Sequence, residues 1–136
     1  MNTSEQRAND IVNYLYDEGD IDLTFFGHIL GMVSADENDV SFEKSAEQRL
    51  SDAITLVDFL VSSGDFYVGQ TMGKQDGKYI DVPLSGGLEE FRNEAMDIFA
   101  KEGIDGDNLI VFSWIKKKKI GKKAPPLPGH IIDLFR

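Results

Sequence analysis

Residues 41–64 read SFEKSAEQRLSDAITLVDFLVSSG, and Ala46, Leu50, Ala53, Ile54, Val57 and Leu60 or Val61 recur there at three- and four-residue intervals. That spacing puts them on one stripe of an α-helix, and Gly64 suits the left-handed cap that ends one. A helix with a single apolar stripe must bury it against another element. The next segments are DFYVGQTM, a GKQDGK turn and YIDVPL. Asp76-Gly77 between two β-prone runs is a strong hairpin signal. The chain therefore has to pack a long helix against a hairpin that follows it directly.

The segments before this helix are also helical in pattern. SEQRANDIVNYLYDEG sets Ala8, Ile11, Val12 and Leu15 on one face, with Ser4 as the expected N-cap and Gly19 as the stop. DIDLTFFGHILGMVSADEND predicts a second helix capped by Asp20 or Asp22, burying Leu23, Phe26, Ile29, Leu30 and Val33. Gly27 and Gly31 each cost about 1 kcal/mol against alanine in a helix, so close helix packing is expected there. After the hairpin, SGGLEEFRNEAMDIFAKEG predicts another helix with Leu88, Phe91, Ala95, Ile98 and Phe99 inward and Gly103 at its end. DNLIVFSWIKKKK then reads as a strand ending near Trp114, and APPLPGHIIDLFR as a proline-stiffened extension closed by Ile131, Ile132, Leu134 and Phe135.

The expected architecture is one α+β domain: three helices, a β-hairpin, a further helix and a strand, an order that is winged-helix-like. Residues 1–123 would form the domain, and residues 124–136 a proline-rich C-terminal tail packing on it. A length of 136 residues fits a single core. Zero cysteines remove disulfides and thiolate chemistry. No apolar run is long enough for a membrane helix, and the N-terminus lacks a secretory pattern, so a cytoplasmic protein without membrane contact is expected.

Charge is distributed unevenly. Residues 1–110 hold 23 acids and 7 bases, a net of −16, whereas residues 111–136 hold 7 bases and 1 acid, a net of +6. An acidic body repels nucleic-acid phosphates and speeds encounter with cationic partners. The plainer reading of the same acidity is solubility. The third helix, where a winged helix would read DNA, carries Glu43, Glu47, Asp52 and Asp58 against Lys44 and Arg49. Phosphate contacts dominate nucleic-acid affinity, so binding through that helix is disfavoured. Lys74 and Lys78 at the hairpin tip do not change this.

Two acidic clusters stand out as partner-binding candidates. Asp17, Glu18, Asp20 and Asp22 fall between the first and second helices, and Asp36, Glu37 and Asp39 follow the second. Their alternative role is helix capping and solubility. Tyr14, Tyr16 and Phe25 are candidate apolar anchors beside the first cluster, with core packing as the competing role. The run Lys116, Lys117, Lys118, Lys119 is the alternative nucleic-acid contact; structurally it would guard an exposed sheet edge.

Other motifs fail on chemistry. IDGDN spaces Asp105 and Asp107 like a calcium loop, but Ile110 and Lys116 stand where glycine and glutamate are needed. His28 and His130 lack a nucleophile–base–orienter set, and SGGLEE lacks the Walker lysine. No catalytic residue, metal or cofactor is expected. The oligomeric state is left between monomer and homodimer.

AITLVDFLVSSGDFYVGQ (53–70) and GLEEFRNEAMDIFAKEG (87–103) with LIVFSW (109–114) resemble small winged-helix-like proteins encoded beside bacterial polymorphic toxins, among them immunity proteins of contact-dependent growth inhibition systems. The resemblance covers roughly residues 40–115 and lies in element order and turn placement. It implies a small cytoplasmic protein that binds one cognate toxin domain, often a nuclease with a cationic active site, and blocks it. Such proteins share no functional residues, so the resemblance assigns no site by position.

Overall fold

The computed structural model describes residues 3–136, apart from the side chains of residues 74 and 75, so the Lys74 side chain lies outside the description. Its elements are α1 (Thr3–Gly19), β1 (Thr24–Phe25), α2 (Phe26–Ser34), α3 (Ala46–Ser62), β2 (Phe66–Gln75), β3 (Lys78–Pro83), α4 (Gly87–Glu102), α5 (Asp107–Val111), β4 (Trp114–Lys117) and α6 (Gly129–Ile132), then a 3₁₀ turn at Asp133–Phe135. The four strands make one antiparallel sheet in the order β1-β4-β2-β3. The molecule is a single α+β domain.

Local chemistry explains the elements. Ser45 caps α3 by accepting from the Gln48 N–H, and Gly64, at φ +88°, ends the following turn. Asp76 and Gly77 both take positive φ, the geometry of a tight hairpin whose twist matches the strands. The core joins Val12 and Leu15 of α1, Ile29 and Val33 of α2, and Leu56 and Leu60 of α3 to Phe66, Val68 and Ile115 of the sheet. Phe26, Phe91 and Phe112 form a ring cluster with centroids 5.4–5.5 Å apart, tying α2 to α4 and to the segment before β4. Ile131, Leu134 and Phe135 are buried in the same core.

Three expectations are corrected. The second helix starts at Phe26, later than predicted, because Thr24 and Phe25 pair with Ile115 and Trp114 as β1. Neither Asp20 nor Asp22 caps it. The segment Asp107–Val111 is helical rather than extended: one helical turn buries Leu109 while Ile110 and Val111 stay exposed, which a strand's alternation would not do. The last strand accordingly starts at Trp114 instead of ending there, and includes Lys116 and Lys117. Of the two glycines in α2, only Gly27 is needed for close approach. A Cβ there would lie 2.4 Å from Ile110 Cγ2, whereas Gly31 faces open space.

Candidate functional site

The end of α1, the turn after it and the lysine segment form one connected region. β4 runs between β1 and β2, so successive side chains alternate across it: Lys116 is exposed and Lys117 is buried. The Lys117 ammonium donates to the Tyr16 carbonyl at 2.8 Å and to Asp20 Oδ1 at 2.6 Å. Tyr16 lies in the last turn of α1, whose carbonyls lack intrahelical partners and carry partial negative charge. Lys117 therefore closes the helix that ends without a basic residue of its own. Asp20 also accepts from the Gly121 N–H at 3.0 Å. The Lys117 bond, then the Gly121 bond, hold the Asp20 carboxyl below its ordinary pKa.

Asp65 makes a second clamp. Tyr16 donates its hydroxyl to Asp65 Oδ2 at 2.5 Å, and Lys122 reaches Oδ1 at 3.2 Å. Burial, then the bond to Asp65, pushes the Tyr16 phenol up to about 12. The same hydrogen bond is the first reason that Asp65 sits below the usual carboxylate range. Tyr16 is thus a buried structural residue and is removed from the candidate anchors.

The first acidic cluster divides by role. Asp20 is committed to Lys117, and Asp22 accepts from the Leu23 N–H. Among the described residues, the carboxylates of Asp17 and Glu18 make no hydrogen bond or ion pair. They share a helix face with Tyr14, three and four residues earlier. Tyr14 is 42% exposed, its ring centroid 5.9 Å from that of His28 in an edge-on arrangement. Ile21 in the following turn and Phe25 on β1 are exposed as well, at 80% and 37%. Two unpaired carboxylates thus lie beside three exposed apolar side chains. Ile21 was not singled out from the sequence, although residues 14, 17, 18 and 21 already continue one helical face. His28 stands at the surface.

The second cluster is more occupied. Asp36 Oδ1 accepts from the Asn38 and Val40 N–H groups, closing its own loop, and Glu37 lies 3.8 Å from Arg7. Asp39 is exposed, at φ 60°. Arg7 also donates to the Ala35 carbonyl, which fixes this loop near the start of α1. Ten residues of helix separate Arg7 from Asp17, about 15 Å along the axis. The two clusters therefore occupy opposite ends of α1 and are not brought together.

β4 is flanked by both β1 and β2 at Trp114 and Ile115, whereas Lys116 and Lys117 pair with β2 alone. Lys117 faces inward, leaving Lys116, Lys118 and Lys119 exposed to any external anion. Trp114 is 2% exposed and donates to Thr71 Oγ1, so no base can stack on it.

The glycines before α4 are closed by Glu90, which accepts from the Gly86 N–H at 2.8 Å. Among the described residues no group of three or more histidines or acids could hold a metal ion, and no helix is long and apolar enough to cross a membrane. No family model, curated protein or solved structure matches the chain.

Proposed function

We propose that this chain is a non-enzymatic binding protein of the immunity type, which covers and neutralises a cationic partner domain such as a basic nuclease toxin. The observation that carries the reading is the surface at the end of α1, where unpaired Asp17 and Glu18 adjoin exposed Tyr14, Ile21 and Phe25. Carboxylates supply long-range attraction and fast encounter, and apolar side chains supply the central contacts that dominate affinity. The helix–helix–helix–hairpin order of α1 to β3 supports a winged-helix-like relationship. The strand β4, inserted between β1 and β2, departs from a simple two-stranded wing.

A nucleic-acid-associated regulator is the second reading, favoured by the exposed Lys116, Lys118 and Lys119. Burial of Lys117 and Trp114 weighs against it. Capture with the tagged chain from the cells that make it separates the two. A stoichiometric cationic protein in the eluate supports the immunity reading. Nucleic acid without a protein, lost on Lys116→Ala/Lys118→Ala/Lys119→Ala, would replace it with the second.

A further inference from the structure

We infer that the groove between α3 and α4 receives a cationic amphipathic helix of a partner protein. The groove, of about 920 Å³, has Leu50, Ile54 and Phe59 on its α3 wall and Met96, Phe99 and Ala100 on its α4 wall. It goes beyond the surface described above, with which it shares no residue.

Shape argues for a helix. Groove-lining positions on α3 run from Glu47 to Ser62, a rise of about 22 Å, at three- and four-residue steps. On α4 they recur at Arg92, Met96, Phe99 and Ala100. Two helices thus offer facing ridges, with His130 of α6 also lining the groove, an arrangement in which amphipathic helices dock. Met96 is 55% exposed, a large apolar side chain held in water. Ser51, Thr55 and Ala100 are small, which lets another backbone come close.

Charge argues for a cationic occupant. Arg92 is neutralised within the rim by Asp58, at 2.6 Å, so it offers no net positive charge. Among the described residues, Glu47 at the start of α3 makes no ion pair. Round α4, the buried face of Phe91 and Ala95 gives way to the groove wall and then to a strip of Glu89, Glu90, Glu94 and Asp97 along a shallow concavity. Lys101, in the last turn of α4, adds one positive charge at the far end of the helix. Partial burial first, and the neighbouring charge of Glu90 second, raise the Glu94 pKa. A helix seated in the groove would lay one flank beside this strip, where lysine or arginine is favoured.

The test uses a designed peptide of about 18 residues, long enough to span the groove as a helix, with leucines on one face and lysines on the other. A leucine–glutamate peptide of the same pattern is the control. Amide shifts are followed in the intact labelled chain. The expected result is helical binding of the leucine–lysine peptide with shifts on α3 and α4, and at least about tenfold weaker binding of the control. Ala100→Trp, which fills an exposed position, is expected to weaken binding by about tenfold, the scale of one lost anchor. Asp17→Lys/Glu18→Lys should leave the shifts on α3 and α4 in place, so failure here and failure of the α1 surface are separately visible. No binding, equal binding of both peptides, or shifts confined to the end of α1 would overturn the proposal. A dimer in sedimentation that Ala100→Trp dissociates would also overturn it, by assigning the groove to a second copy.

Discussion

Lys117 donates to the carbonyl of Tyr16, 101 residues earlier, and so joins the last strand to the end of the first helix. Lys44 does the same for α2. Its ammonium reaches the Val33 carbonyl at 2.7 Å, the Leu134 carbonyl at 2.6 Å and Asp52 at 2.8 Å, using all three donors. In both places a buried lysine satisfies a helix C-terminus that has no basic residue of its own. Lys44→Met should cost about 3 kcal/mol, because it leaves the carboxylate of Asp52 buried without its partner. Lys44→Met/Asp52→Leu should recover part of that loss in denaturant unfolding. Lys117→Met should cost about 2 kcal/mol through the orphaned Tyr16 carbonyl.

The Tyr16–Asp65 bond predicts a pH signature at both ends of the scale. Asp65 and Asp20 titrate below their ordinary value of 3.8 in the fold. Their stabilisation is therefore present above that value and lost as pH falls through the folded pKa, where the unfolded chain takes up protons first. Tyr16 is raised from 10.0 to about 12, so its contribution is complete below pH 10 and lost as pH rises toward 12. Tyr16→Phe should lower neutral-pH stability by about 2 kcal/mol and flatten the alkaline limb relative to the parent chain. Urea midpoints across pH measure both effects.

Glu94 has the opposite sign from the aspartates. Its raised pKa means that the ionised form is disfavoured in the fold, so its charge destabilises the protein at neutral pH. Glu94→Gln should raise the melting temperature at pH 7 and have no such effect well below pH 4.5, where both states are protonated.

Gly69 sits against the Trp114 ring, where an added Cβ would lie 2.2 Å from its Cη2 atom. Both residues are inside the sheet, paired to each other in register. Gly69→Ala should cost about 2–3 kcal/mol by overpacking. Gly69→Ala/Trp114→Leu should recover part of it, and comparing the two unfolding midpoints checks this.

The helices and the hairpin were legible because their signals are local: the apolar spacing of α3, the cap at Gly64 and the turn at Asp76-Gly77 need no distant residue. What the sequence concealed depends on long-range pairing. Thr24 and Phe25 form a strand only because Trp114 and Ile115 lie beside them. Lys117 looks like its neighbours in a lysine run, and only its position on the inner face of β4 makes it structural. The same holds for the acids. Asp20 and Asp36 accept hydrogen bonds within the molecule, while among the described residues the carboxylates of Asp17 and Glu18, next to them in composition, bond to nothing.

The most direct test of the binding reading compares capture by the parent chain and by Asp17→Lys/Glu18→Lys, at about 0.05 M and 0.5 M salt, where screening lengths differ severalfold. The account predicts one stoichiometric cationic protein on the parent chain at low salt, reduced at high salt and lost from the charge-reversed variant. Equal capture by both chains at both salts would contradict it.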